Sequence, residues 1–97
     1  MKMKASLYCV YDSKAEVYMR PFVAQSNAAA IRSFADEVNS KSSDSVLAAH
    51  PEDYVLFMLA HWDECNGVLD VLEAKRSLGV GIDFVRDNTV PRIGAVN

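Results

Sequence analysis

Lys4-Ala-Ser-Leu-Tyr-Cys-Val-Tyr-Asp-Ser-Lys-Ala-Glu-Val-Tyr-Met-Arg-Pro-Phe-Val-Ala-Gln25 is the stretch on which the fold turns. Two runs rich in β-branched and aromatic residues flank a polar break, Asp12 to Glu16. That pattern predicts a β-hairpin with a loop of four or five residues. In the first strand, Leu7, Cys9 and Tyr11 point one way and Ser6, Tyr8 and Val10 the other. In the second, about 17–25, Tyr18, Arg20 and Phe22 share a face opposite Val17, Met19 and Val23. Pro21 has no N–H to give a ladder, so this strand belongs at an edge or bulges there.

Outward from the hairpin, Ser26 reads as a helix N-cap, its hydroxyl able to accept from a first-turn N–H. Residues 27–39 follow as the best helix. Ile31, Phe34, Ala35 and Val38 fall at i, i+3, i+4 and i+7, a single apolar stripe. Residues 39–45 are polar and read as a linker. Val46–His50 is long enough for one helical turn, which Pro51 ends. Tyr54–Trp62 is the strongest strand and reads as central. Asn66-Gly67 supplies a turn, and 68–72 pairs back as a shorter strand. Residues 73–77 are polar, and 78–85 reads as a loop leading into a short strand.

These elements predict a two-layer α+β domain: two β-hairpins with one main helix packed on the sheet, order ββαββ, with a possible extra C-terminal strand. Residues 1–85 form the single domain and 86–97 a flexible C-terminal tail.

Composition narrows the function classes. Of 97 residues, 51% are hydrophobic and 24% charged, which fits a folded chain and not a disordered one. The net charge of -3 argues against indiscriminate nucleic-acid binding. It conceals a split. Residues 1–34 carry five bases and two acids, residues 35–73 nine acids and one base, and residues 74–97 four bases and two acids. Two cysteines do not make a disulfide framework. No run of about 18 apolar residues is present, so no membrane span is expected, and nothing resembles a secretion signal. A cytoplasmic location follows.

Four segments resemble one family. They are Tyr8–Phe22, Ala29–Asn39, His50-Pro-Glu-Asp-Tyr-Val-Leu-Phe57 and Ser77-Leu-Gly-Val-Gly-Ile-Asp-Phe84. In this order they look like the small nonstructural protein of gokushovirus-type microviruses, tailless phages with circular single-stranded DNA genomes. The resemblance implies a phage nonstructural, DNA-binding protein, acting in the host bacterial cytoplasm. It would serve the switch to single-strand genome synthesis or packaging. It carries over no established site residues.

Chemistry supplies those. Aromatic faces stack on bases while Lys and Arg follow phosphates. Lys4, Tyr8, Lys14, Tyr18, Arg20, Phe22 and Arg32 are therefore the expected single-stranded DNA site. Lys75, Arg76, Arg86 and Arg92 form a weaker second basic set. The competing reading places the tyrosines in the core. A non-enzymatic adaptor is the alternative function, engaging a phage replication or capsid protein, or a host factor, through the acidic 36–73 segment.

Other constellations read as structural. His50, His61, Asp63 and Cys65 lack the doubled tight spacing of a structural zinc site. Glu52-Asp53 and Asp63-Glu64 are sequence neighbours that would point apart on a strand, not a converging acid–base pair. Gly79-Val-Gly81 lacks a nucleotide loop's context. Cys9 has no activating neighbour. No enzyme, cofactor or metal is expected, and a homodimer is, through an exposed strand edge or the 54–62 strand.

Overall fold

The computed structural model describes residues 4–86. The chain is a mixed α+β fold, a curled antiparallel sheet with one main helix on one face. Its strands are β1 (Lys4–Asp12), β2 (Val17–Tyr18), β3 (Phe22–Ala24), β4 (Tyr54–Asp63) and β5 (Val68–Val80). Helix α1 spans Asn27–Val38 and α2 Val46–Ala49. Single 3-10 turns cover Pro51–Asp53 and Gly81–Phe84. Across the sheet the order is β2-β1-β4-β5, with β3 also pairing β1, and every pairing is antiparallel.

Local signals place the helices. The Ser26 hydroxyl accepts from the Ala29 N–H at 3.1 Å, and Ser45 caps α2 the same way through Ala48 at 3.2 Å. Phe34, Ala35 and Val38 of the apolar stripe are buried, as is Ala30, whose small side chain lets α1 lie close to the sheet. Asn39 ends α1. Its Nδ2 donates to the carbonyls of Ala35 and Phe84, and its Oδ1 accepts from the Arg86 N–H at 2.7 Å. One side chain thus fastens the helix end to residues 84–86.

The core lies between α1 and one sheet face. Tyr8, Phe34, Val38, Leu47, Tyr54, Leu56 and Met58 are buried there, with Val10, Phe22 and Phe84 packed against them. Burying side chains of this size contributes about 1.5–3 kcal/mol each. Backbone packing closes the lower end. A Cβ on Gly81 would sit 2.5 Å from the Pro51 carbonyl oxygen, so only glycine allows that approach.

Three expectations need correction. The second strand is not continuous over 17–25. It breaks at 19–21 into β2 and β3, because Pro21 cannot donate to the ladder. β5 does not end at Leu72. It runs through the polar 73–77 segment to Val80, absorbing Leu78 and Gly79. As an outer strand it needs no apolar alternation there. The extra C-terminal strand is instead the 3-10 turn at 81–84. The expected tail begins at Arg86, whose guanidinium meets the Asp36 carboxylate at 3.1 Å. Residues 87–97 of that tail, with Arg92, lie outside the described residues.

Candidate nucleic-acid interface

Register decides which aromatics face solvent. β1 pairs with β3 as Ser6↔Ala24, Leu7↔Val23 and Tyr8↔Phe22. It pairs with β2 as Tyr11↔Tyr18 and Asp12↔Val17. The two pairings differ by one residue, and a one-residue slip exchanges the faces. Tyr18 and Phe22, four apart, would share a face on an unbroken strand. Here they lie on opposite faces.

Tyr8 and Phe22 therefore belong to the core beneath α1. Tyr8 has no exposed surface. Its ring stacks on Phe22 at 5.8 Å, and its hydroxyl donates to Asn27 Oδ1 at 2.7 Å. Tyr8 offers no solvent-facing platform and Phe22 is only partly exposed, in the groove it lines with Arg20, which corrects the expected arrangement. The remaining cations are scattered. Lys4 stands at the start of β1 opposite Asp63. Lys14 is exposed in the β1–β2 turn, held by the Asp12 carboxylate through its backbone N–H. Arg20 lines a groove of about 680 Å³ beside Phe22 and Phe34, along with Glu37 and Asp44. Arg32 is exposed on α1.

The opposite sheet face carries what the expected site lacked. Tyr11 and Tyr18, paired across β1 and β2, have ring centroids 4.5 Å apart. Phe57 of β4 joins them, 6.1 Å from Tyr18. It sits between Leu56 and Met58, which point into the core, so it must point away. Lys75 completes the group, its Nζ 5.4 Å from the Tyr18 centroid and 5.5 Å from that of Phe57. Each contact is a cation–π interaction, worth about 0.5–1 kcal/mol at an exposed site. Tyr18 is 47% exposed. Cys9 lies beneath the cluster. Burial pushes its thiol pKa up, partly offset by the Lys75 charge.

Lys75 reaches the rings because β5 is irregular. Met58 pairs with Arg76 and Ala60 with Val71, so one β4 residue stands against four of β5, Leu72 to Lys75. The bulge carries Lys75 onto the open face. A cavity of about 340 Å³ lined by Cys9, Tyr18, Met19, Pro21, Leu59 and Lys75 adjoins a groove of about 640 Å³. Leu59 and Lys75 line both, and Leu7, Leu69, Val71 and Leu72 complete the groove's apolar wall. The sequence placed Lys75 only in a secondary basic set. Nothing local linked it to Tyr18, 57 positions earlier.

The other constellations separate. His61 Nδ1 lies 3.2 Å from the Ser6 hydroxyl. The Asp63 carboxylate accepts from the backbone N–H groups of Cys65 and Asn66, closing the turn. His50 is brought instead beside Glu52 and Asp53, their ligand atoms within 4.8 Å of one another. The acidic segment forms no single patch. Asp53 precedes β4 and Asp63 ends it, a strand of about 33 Å at the usual rise. Among the described residues no helix is long and apolar enough to cross a membrane.

The fold and site together define a small sheet protein with a helix on one face and an aromatic–cation cluster on the other. Residues 5–84 match the family described as Phage ORF5 protein, and the chain belongs to that family. No curated protein and no solved structure matches it.

Proposed function

We propose that this phage protein binds single-stranded DNA across the sheet face opposite α1. The observation behind this is the Tyr11–Tyr18–Phe57 cluster with Lys75 above it. A base lying on Tyr18 is held by stacking, which every base can supply and which does not depend on sequence. Lys75 leaves the ring face to meet the adjacent phosphate. Duplex DNA hides its base faces in the stack and gains only the charge. In the host bacterial cytoplasm, such binding would favour single-strand genome synthesis or packaging over duplex replication, alongside phage replication or capsid proteins.

The resemblance to gokushovirus-type nonstructural proteins supports the same reading. The alternative is an adaptor working through the acidic 36–73 segment. It is weakened by the division of those carboxylates among α1 (Asp36, Glu37), the 3-10 turn before β4 (Glu52, Asp53), the end of β4 (Asp63) and β5 (Asp70, Glu73).

The test is fluorescence anisotropy with labelled poly-dT and a duplex of equal length, at two salt concentrations. Wild type should bind poly-dT more tightly than duplex. Tyr18→Ala should weaken poly-dT binding about 5- to 150-fold, the equivalent of roughly 1–3 kcal/mol of lost stacking. Micromolar protein that leaves both probes unbound would refute the proposal and leave the adaptor.

A further inference from the structure

Among the described residues β5 is paired along one edge only, and the other edge points to a second copy of this chain as its occupant. We infer that two molecules pair β5 to β5 in antiparallel fashion about a two-fold axis near Ala74. The inference does not depend on the DNA reading.

β5 is the outer strand of the sheet, with β4 as its neighbour on one side. It is also the longest strand, at 13 residues. An outer strand leaves a row of N–H and C=O groups for another chain to pair with, and proteins usually blunt such edges. Here Val68, Leu69 and Val71 are all exposed, Val71 at 66%. Leu72 to Lys75 lie within β5 although the β4 register passes them over.

Charge order identifies the partner. Along β5 the acids Asp70 and Glu73 precede the bases Lys75 and Arg76, and all four are exposed. Antiparallel pairing reverses one strand against the other. Centred on Ala74, it sets Glu73 against Lys75 of the second copy. The two-fold axis makes that contact twice. Parallel pairing in register would oppose like charges, which is unfavourable. The edge is thus self-complementary in one orientation only, the property an isologous dimer requires. The apolar residues at 68, 69 and 71 then lie against the 77–80 end of the partner strand. The two sheets become one, with both aromatic clusters on the same continuous face.

Sedimentation equilibrium of the full chain without DNA tests this. Wild type should show twice the 10.7 kDa chain mass. Asp70→Lys/Glu73→Lys gives an all-basic edge and Lys75→Glu/Arg76→Glu an all-acidic one. Each alone should sediment at the single-chain mass, with a wild-type circular dichroism spectrum confirming its fold. Mixed in equal amounts, the two should restore the double mass. A wild-type chain that stays at the single mass at its highest attainable concentration overturns the inference. So does a dimer that survives both reversals, which would place the contact elsewhere. Because no nucleic acid is present, neither result bears on the poly-dT titration.

Discussion

Replacing Tyr8 with alanine separates the core reading of that ring from the DNA-binding one. Tyr8 has no exposed surface, stacks on Phe22 and lies in the cluster with Ala30, Phe34, Leu56 and Met58. Truncating a buried aromatic to alanine costs about 3–5 kcal/mol, part lost transfer energy and part cavity. The hydroxyl adds a smaller amount. Its hydrogen bond to Asn27 Oδ1, 2.7 Å long, contributes roughly 0.5–1.5 kcal/mol, which Tyr8→Phe isolates. A domain of this length has about 5–15 kcal/mol in total, so Tyr8→Ala removes a large fraction. At about 4–8 °C per kcal/mol, the melting temperature should fall by at least 12 °C or so. Urea unfolding followed by far-ultraviolet circular dichroism measures both variants. Tyr18→Ala is the control. Its half-exposed ring gives up contacts with Tyr11, Phe57 and Lys75 and should cost about 1–2 kcal/mol, less than the core ring. If Tyr8→Ala unfolds within 1 kcal/mol of wild type while Tyr18→Ala is the destabilised one, the assignment of the two sheet faces is inverted and the reasoning fails.

Gly81→Ala should destabilise by about 1–3 kcal/mol, since the new Cβ meets backbone, the Pro51 carbonyl, which cannot rotate away; a neutral result in urea melts would show that the two turns part freely. Lys75→Ala should weaken poly-dT binding and lower the slope of log K against log salt by about 0.7, one phosphate contact on a single strand; an unchanged slope would place the phosphate elsewhere. Stability should also fall at alkaline pH. Tyr54 has its pKa raised above 10.0 by burial first, then by the Asp12 charge, its hydrogen bond to Asp12, and Asp53. The folded state therefore holds this proton after the unfolded chain has released it. The contribution is complete below pH 10 and is lost as pH rises toward the folded value. Tyr54→Phe should flatten that decline in urea titrations from pH 8 upward, and an identical decline in the variant would count against it.

Much of the fold is local and was readable as such. The stripe Phe34, Ala35 and Val38, the cap Ser26 and the Pro51 stop fix α1 and α2 because each acts within four residues of where it sits. The apolar run from Tyr54 marks the inner strand, paired by β1 along one edge and β5 along the other. β5 was half legible. Its outer position removes the demand for apolar alternation, so Glu73 to Ser77 carry no strand signature although they are extended.

The sequence by itself determined the elements, the capping and the α+β class, since hydrophobic period and backbone chemistry speak over a few residues. Only the tertiary structure decided which aromatics meet solvent. A single residue of slip between Tyr18 and Phe22 sends one ring outward and the other under α1, and that slip is defined by pairing to β1 rather than by composition. Only the bulged pairing of β5 on β4 decided that Lys75 would stand over Tyr18 and Phe57. Side-chain faces in a sheet are set by register, and register is a relation between strands that no strand carries alone.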